Sequence, residues 1–364
     1  MTTPGLPAPR DDLAALEGYH SPQLDVQVRL NTNESPYPPP SAFVDAWLAA
    51  LRAAELNRYP DRAARVLRET LAARLDQPAT RLFCANGSNE VLQTLLLTYG
   101  GAGRRAVVFE PTYALHAHIA RITGTTVVTG DRTGDFTVSP TEAGVLIATE
   151  RPAIVFLCSP NNPTGTVESR ATVESLLGAV VDHGVGVLVV DEAYGEFADW
   201  SAAELVADDL PLVVVRTYSK VWSMAALRLG FALAPPPVVA QLDKVVLPYH
   251  LSIVTQLAGT IALDFDDEMR TRVKTLVEER HRLGASLARL TGLTVFPSGA
   301  NFVLVRVDGD AHALWQRLVA RGVLVRDFSR WPRLDGCLRI TVGTPEENNM
   351  LLAALRESLE EVAA

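Results

Sequence analysis

The run V-G-V-L-V-V-D-E-A-Y at residues 185–194 decides the fold of this chain. Its first six residues are apolar on both alternating faces, which is typical of a strand buried in a parallel sheet. Asp191 follows at the carboxyl end, where a buried charge needs a partner. Asp191 is therefore a candidate binding residue, although a helix cap or a structural ion pair explains an isolated aspartate equally well.

Similar apolar runs lie on both sides of this strand and alternate with helical patterns. The predicted strands are Val107–Phe109, Val127–Thr129, Ile154–Cys158, Leu212–Arg216 and Leu229–Ala234. Helical spacing predicts helices over Asp61–Leu75, from Ser88 to about Thr98, and over Thr166–Val181. This alternation predicts an α/β fold, in which a doubly wound, mostly parallel sheet forms a large domain over residues 45–250.

The last third of the chain has a different pattern. It contains a long charged helix, three strand-like runs and two further helices, at Asp266–Leu290, Phe302–Val307, Ala311–Arg321, Val323–Arg326, Leu338–Val342 and the C-terminus. We expect a smaller α+β domain over residues 251–364. The N-terminal segment, residues 1–44, is Pro-rich, and we expect it to pack with this smaller domain and across the cleft.

Composition excludes several classes of protein. The chain has 364 residues and a formal charge of −9, which disfavours nucleic acid and anionic membranes as partners. No apolar stretch approaches the length of a membrane span or a signal peptide. The three cysteines lack disulfide or zinc spacing. We therefore expect a cytoplasmic protein that binds small molecules and no metal.

A lysine follows the next predicted strand along the chain. The motif T-Y-S-K places Lys220 just past Leu212–Arg216, with the hydroxyls of Thr217 and Ser219 beside it and Arg228 soon after. A lysine amine forms a Schiff base with an aldehyde, and hydroxyls with an arginine suit a phosphate. Alone, Lys220 would more often be a solvated surface lysine.

Three further loops carry candidate binding residues, and those at 159–165 and 111–113 follow predicted strands. S-P-N-N-P-T-G at 159–165 offers the amides of Asn161 and Asn162, N-G-S-N-E at 86–90 begins a helix whose first amides suit an anion, and P-T-Y ends in Tyr113. Turn and capping chemistry explains the first two loops alone, and Tyr113 alone could be a core or surface tyrosine. Together they supply what one cofactor needs: an amine, a carboxylate, donors, an aromatic ring and a phosphate cradle. That cofactor is pyridoxal phosphate.

The sequence also resembles a known family over nearly its whole length, the histidinol-phosphate aminotransferases, which are fold-type-I pyridoxal-phosphate enzymes. The segments that carry the resemblance are L-N-T-N-E-S-P at 30–36, R-Y-P-D at 58–61, N-G-S-N-E at 86–90, P-T-Y at 111–113, S-P-N-N-P-T-G at 159–165, V-D-E-A-Y-G-E-F at 190–197, R-T-Y-S-K at 216–220 and L-R-I-T-V-G at 338–343. Their common order makes the match specific.

The resemblance implies a role for each matching residue. Lys220 carries the cofactor and moves the proton at the substrate α-carbon, and Asp191 keeps the pyridine nitrogen protonated. Tyr194 and Asn162 bond the 3-oxygen, and Tyr113 stacks on the ring. The phosphate is implied to bind the amides of Ser88 and Asn89, the side chains of Thr217, Ser219 and Arg228, and Tyr59 from the second subunit of a homodimer.

The resemblance also implies amino and keto acids as substrates. Arg339 forks the α-carboxylate, which lysine does poorly, and Asn33 faces the same cleft. The implied reaction is reversible transamination between histidinol phosphate or imidazole acetol phosphate and glutamate or 2-oxoglutarate, in histidine biosynthesis. The candidates for the distal substrate pocket are Tyr19, Asn89, Tyr249 and Arg326.

Other functions remain open at this point. An aromatic amino-acid aminotransferase would share every catalytic residue named, and a threonine-phosphate decarboxylase has the same fold. A regulator fused to a DNA-binding module is disfavoured, because only about 29 residues precede the first matching segment. Hydride transfer is disfavoured too, because the cluster at Gly100–Gly103 lacks the third spaced glycine of a dinucleotide site.

Overall fold

The computed structural model describes residues 7–14, 16, 18, 22–184 and 186–363, which fold around two sheets. In chain order the strands and helices are β1 (Val28–Leu30), α1 (Ser41–Ala53), α2 (Arg65–Leu75), β2 (Leu82–Ala85), α3 (Gly87–Tyr99), β3 (Arg105–Glu110), α4 (Leu115–Ile122), β4 (Thr126–Asp131), α5 (Pro140–Glu150), β5 (Ile154–Cys158), α6 (Arg170–Asp182), β6 (Val187–Asp191), β7 (Leu212–Thr217), β8 (Gly230–Leu233), α7 (Pro236–Val245), α8 (Ile253–Ala262), α9 (Asp266–Leu287), β9 (Leu293–Val295), β10 (Phe302–Val307), α10 (Ala311–Ala320), β11 (Val323–Asp327), β12 (Cys337–Thr341) and α11 (Pro345–Ala363).

The larger sheet has seven strands in the order β2-β8-β7-β6-β5-β3-β4. All neighbours in it pair in parallel except β8, which is antiparallel to both β2 and β7. Alternate side chains of β5 enter two different apolar cores, Val155 and Leu157 on one face and Ile154 and Phe156 on the other. Both faces are therefore covered, which confirms the predicted doubly wound, mostly parallel sheet.

Most predicted elements agree with the structure, and the differences have local causes. Helix α2 begins at Arg65, because the Asp61 carboxylate accepts hydrogen bonds from the amides of Ala63 and Arg65 and holds a turn before the helix. Helix α6 begins at Arg170, because Ser169 caps it. Strand β2 was not predicted, since four apolar residues directly before a helix show too short a pattern to identify a strand.

The smaller sheet has the order β1-β11-β12-β10-β9. Strand β1, from the N-terminal segment, pairs in parallel with β11, so that Val28 lies opposite Val323. Strand β12 lies between β10 and β11 and is antiparallel to both. The domain boundaries at residues 44/45 and 250/251 stay a prediction.

The arrangement of strands determines where a ligand can bind. The neighbouring parallel strands β3, β5, β6 and β7 all end at one edge of the larger sheet, so the loops that follow them gather there. The smaller sheet contributes β12 to the same region. Within the described ranges, no helix has the length and apolar character needed to cross a membrane.

Candidate active site

A cavity of about 380 Å³ lies at this edge of the larger sheet. Twelve of the sixteen predicted site residues line it: Asn33, Ser88, Asn89, Tyr113, Asn162, Asp191, Tyr194, Thr217, Ser219, Lys220, Arg228 and Arg339. The fold therefore brings together residues that are separated by up to 306 positions in the chain. The lining also contains six residues that were not predicted, Thr32, Glu34, Cys158, Ala193, Ala225 and Ala226.

Asp191 ends β6 and is 1% exposed. Its Oδ1 accepts a hydrogen bond of 3.1 Å from the amide of Ala193, and its Oδ2 lies 2.9 Å from Nε2 of His116. The His116 ring is fully buried and stacks on Phe156. Because His116 Nδ1 has no hydrogen-bond partner among the described residues, the tautomer that fits carries its proton on Nε2 and donates to Asp191.

Sequence reasoning missed His116. It lies in α4, three residues beyond Tyr113, and its ring meets the Tyr113 ring edge-on with centroids 5.4 Å apart. The only signal in the sequence was a histidine on an apolar helix face close to the P-T-Y motif. A histidine in such a setting is commonly part of the core, so its contact with Asp191 needed the tertiary structure.

Lys220 follows β7, and its Nζ donates a hydrogen bond of 3.0 Å to the backbone carbonyl of Thr32. Burial lowers the pKa of Lys220, and with the smaller effects of the Arg339 and Arg228 charges, which also lower it, and of Glu34, which opposes the shift, the pKa is about 7. A large share of the amine is therefore neutral at neutral pH. Only a neutral amine can attack an aldehyde.

Tyr194 belongs to a buried hydrogen-bond network with Asn33 and Thr341. Asn33 Nδ2 donates to the Tyr194 hydroxyl oxygen over 2.9 Å, and Asn33 Oδ1 accepts from Thr341 Oγ1 over 2.9 Å. Asn33 has φ 56°, a left-handed conformation that asparagine tolerates. Burial raises the pKa of Tyr194 to about 12, so this hydroxyl keeps its proton and stays a donor.

Arg339 reaches the cavity from β12 of the smaller sheet. Its Nη1 donates to Asn162 Oδ1 over 2.5 Å, and its Nη2 donates to the carbonyl of Asn31 over 2.7 Å. The guanidinium carbon lies 5.2 Å from the centre of the Phe302 ring. These contacts hold the planar guanidinium in one orientation, which suits it to bind a carboxylate or phosphate.

The other end of the cavity suits a phosphate. Ser88 and Asn89 lie in the first turn of α3, and the side chain of the preceding residue, Asn86, does not cap the backbone amides of that turn but donates to the Glu90 carboxylate over 3.0 Å. A Cβ atom on Gly230 would lie 2.3 Å from the Ser88 amide nitrogen, so β8 can pass this close only with glycine there. Arg228 Nη1 lies beside Ser219 Oγ at 3.3 Å.

Three predicted residues, Tyr59, Tyr249 and Arg326, do not line the cavity. Tyr59 is 80% exposed and stacks on Tyr249, with ring centroids 4.4 Å apart. Arg326 lies opposite Arg339 in the register of β11 and β12, hence on the same face of the sheet, and is buried. Tyr19 lies outside the described residues. Their roles remain predictions.

The chemistry of the donor set fits pyridoxal phosphate. One cavity is lined by an amine of low pKa, a buried carboxylate that a histidine contacts, a protonated tyrosine, and a helix N-terminus beside an arginine. Asp191 has no lysine or arginine within 4 Å among the described residues, so a protonated ring nitrogen would complete its pairing.

Comparison with known proteins assigns the family. The family model for aminotransferases of class I and II matches residues 25–355. Histidinol-phosphate aminotransferase of Frankia casuarinae is 47% identical over 98% of this chain and 91% of its own length. The corresponding enzyme of Mycolicibacterium smegmatis is 44% identical over 95% of this chain and 92% of its own length.

Solved structures agree with this assignment. Histidinol-phosphate aminotransferase from Sinorhizobium meliloti, in complex with pyridoxal-5'-phosphate, superposes with a TM-score of 0.84 at 25% identity and covers 93% of this chain and 92% of its own. Aspartate aminotransferase from Thermus thermophilus with maleate has a TM-score of 0.78 at 24% identity, covers 92% of each chain, and shows the shared fold. The chain therefore belongs to the histidinol-phosphate aminotransferase family, among the pyridoxal-phosphate-dependent aminotransferases of class I and II.

Proposed function

We propose that this aminotransferase moves an amino group reversibly between histidinol phosphate and 2-oxoglutarate, giving imidazole acetol phosphate and glutamate, in histidine biosynthesis. The observation that carries the proposal is Arg339, whose fixed guanidinium lines the same cavity as the Lys220 amine. An anion bound by Arg339 therefore lies in the same compartment as the reacting nitrogen. The names of the relatives support the choice of histidinol phosphate.

The proposed cofactor contacts follow the lining of the cavity. The phosphate would bind the amides of Ser88 and Asn89 and the side chains of Thr217, Ser219 and Arg228. Tyr113 would stack on the ring, while Asn162 and Tyr194 would donate to the 3-oxygen. When bound, pyridoxal phosphate supplies an aldehyde that takes up the amino group and a ring that withdraws electrons from the α-carbon.

Two residues control protons in this reaction, Lys220 at the substrate α-carbon and Asp191 at the ring nitrogen. Lys220, with its low pKa, would act as the base that takes the proton from the substrate α-carbon and would hold that proton on Nζ. Asp191 keeps a proton on the ring nitrogen, because its negative charge is buried and fixed by His116 and the Ala193 amide. The high pKa of Tyr194 keeps its hydroxyl a hydrogen-bond donor throughout.

Arg339 has to accept two kinds of anion. Glutamate presents an α-carboxylate, whereas the α-carbon of histidinol phosphate carries a phosphate ester arm in its place. Both groups offer paired oxygens to the guanidinium fork. We propose that Arg339 binds the carboxylate in one half-reaction and the phosphate in the other, with Arg326, Tyr19 and Tyr249 as the further residues of the distal pocket.

An amine-donor panel tests the substrate. Purified holoenzyme is assayed with histidinol phosphate and with phenylalanine, each with 2-oxoglutarate. We expect kcat/KM to favour histidinol phosphate by at least about 100-fold, because donors placed for a phosphate stay unpaired when an apolar side chain binds. A preference for phenylalanine would replace this proposal with the aromatic aminotransferase.

We propose that the active unit is a homodimer in which Tyr59 completes the phosphate site of the other subunit. Its support is the exposed apolar surface formed by Tyr59, Tyr249, Leu56 and Leu247, of which Tyr59 and Leu247 are 80% and 76% exposed. A cytoplasmic location is proposed because all three cysteines are buried and unpaired.

Hybrid dimers test the Tyr59 role directly. Tyr59→Ala subunits are unfolded and refolded together with Lys220→Ala subunits. If Tyr59 acts across the interface, the hybrid contains one complete site, formed by Lys220 of one subunit and Tyr59 of the other, and activity exceeds that of either variant refolded alone. No gain on mixing, or an active monomer in light scattering, would contradict the proposal.

A further inference from the structure

A second cavity, of about 680 Å³, lies away from the site described above. It is bounded by the loop that ends in Gly165, by the segment after Tyr194 that contains Phe197 and Trp200, and by α9 and the segment before β10. None of its lining residues lines the active-site cavity.

The cavity contains an unusual buried cation, Arg280 of α9, which is only 8% exposed. Its Nη1 donates to the carbonyls of Ala300, at 3.0 Å, and Phe197, at 3.5 Å. Its Nε has no hydrogen-bond partner among the described residues, and its Nη2 contacts only His281 Nε2, at 3.4 Å. The edge of the guanidinium formed by Nε and Nη2 therefore meets no acceptor oxygen in the described part of the chain.

Arg280 also has no carboxylate within 4 Å among these residues, and burial lowers its pKa accordingly. The negative charge of Asp199, which lines the same cavity, acts on Arg280 and opposes this lowering of its pKa. Asp199 is exposed and makes no hydrogen bond or ion pair with any described residue. Arg280 and Asp199 thus line one cavity and carry opposite charges, but they form no ion pair within 4 Å.

We propose that this cavity binds a free α-amino acid with an apolar or aromatic side chain. The carboxylate of such a ligand would bind the Nε and Nη2 edge of Arg280 in bidentate fashion, after the exposed His281 side chain moves aside. Its ammonium group would pair with Asp199. The aromatic rings of Phe197, Trp200 and Phe296, which line the cavity, would cover its side chain.

A zwitterion fits this site better than a simple anion or an amine. A lone anion would leave Asp199 repelling it, and a lone amine would leave the buried Arg280 charge without a counterion. Only a ligand that carries both charges a short distance apart pairs both groups at once.

Binding is measured by isothermal titration calorimetry with L-phenylalanine as the probe. The protein is the holoenzyme after borohydride reduction, so that its cofactor no longer reacts with amines. We expect saturable binding with a Kd below about 1 mM. Phenethylamine, which lacks the carboxylate, and 3-phenylpropionate, which lacks the amine, should each bind about tenfold more weakly or worse. Equal binding of either analogue would overturn the zwitterion assignment.

Variants locate the site. Gly134 lines the cavity and a Cβ atom on it meets nothing within 4 Å, so Gly134→Leu adds a bulky apolar side chain at the cavity without backbone strain. Gly144 in α5 is equally unhindered and lies outside the cavity, so Gly144→Leu is the matched control. We expect binding to disappear in Gly134→Leu, to persist in Gly144→Leu, and to weaken about tenfold in Asp199→Asn.

Asp199→Asn also protects the test against misfolding, because Asp199 is exposed and makes no hydrogen bond or ion pair with a described residue. Arg280→Met, in contrast, would remove two hydrogen bonds to backbone carbonyls. No saturable binding up to about 10 mM, or binding that Gly134→Leu leaves unchanged, would overturn the proposal. Either result is independent of which amino donor the enzyme uses.

Discussion

The low pKa of Lys220 makes a quantitative prediction about how the apoenzyme takes up its cofactor. Covalent attachment to an aldehyde needs a neutral amine. With a pKa of about 7, half of Lys220 is neutral at pH 7. An ordinary lysine with a pKa near 10.5 would be neutral in only about one molecule in 3,000 at that pH.

The sign of the effect follows from the direction of the shift. Below pH 7 Lys220 is protonated and attachment slows about tenfold for each pH unit, and above pH 7 the rate reaches a plateau. The rate is measured by stopped-flow absorbance after mixing apoenzyme with excess pyridoxal phosphate between pH 5.5 and 9. Binding of pyridoxamine phosphate, which has no aldehyde, is the control for titration of the phosphate site.

A charge variant sharpens the test. Glu34 raises the pKa of Lys220, so Glu34→Gln should move the midpoint of the rate profile to lower pH. Glu278→Gln, at an exposed position on α9, should leave the midpoint in place. A rate that still rises steeply at pH 9 in the wild-type protein would refute the reasoning, because it would mean that burial in the cavity does not lower the pKa of the reacting lysine.

Further predictions concern the same site. Peptide mapping after borohydride reduction should find the cofactor on Lys220, and an adduct on another lysine would disprove its role. Asp191→Asn should lower kcat at least about 100-fold with unchanged thermal unfolding. His116→Phe should lower kcat about 10- to 100-fold through the lost bond to Asp191, and wild-type rates in either variant would contradict the proposed support of the ring nitrogen. Arg339→Ala should reduce kcat/KM for histidinol phosphate and glutamate alike. Arg326→Ala should reduce kcat/KM mainly for histidinol phosphate, through a loss of about 1–3 kcal/mol or more of transition-state stabilisation. Equal losses on both substrates would show that Arg326 does not belong to the distal pocket.

Local sequence was sufficient where the signal is local. Apolar runs such as Ile154–Cys158 identify buried strands because every side chain in them has to leave water, whichever face it points to. Motifs after predicted strands identified several of the twelve residues that line one cavity, because in parallel sheets the loops after neighbouring strands meet at the same edge. Lys220, Asp191 and Asn162 were predictable in this way. Asn33 and Arg339 came only from the resemblance to a known family.

Contacts between distant segments were decided by the tertiary structure alone. No spacing rule in the sequence connects the residues that meet in three such contacts. These are the pairing of His116 with Asp191, the hydrogen bond from Lys220 to the carbonyl of Thr32, and the approach of β8 to the Ser88 amide. The pKa of Lys220 belongs to the same group, because it depends on how much water the fold removes and on the position of Arg339. Sequence by itself determines which residues can carry the chemistry, since side-chain type and local backbone preference are properties of short segments. Burial and charge proximity are properties of the packed chain, and so only the tertiary structure decides how strongly each residue is tuned.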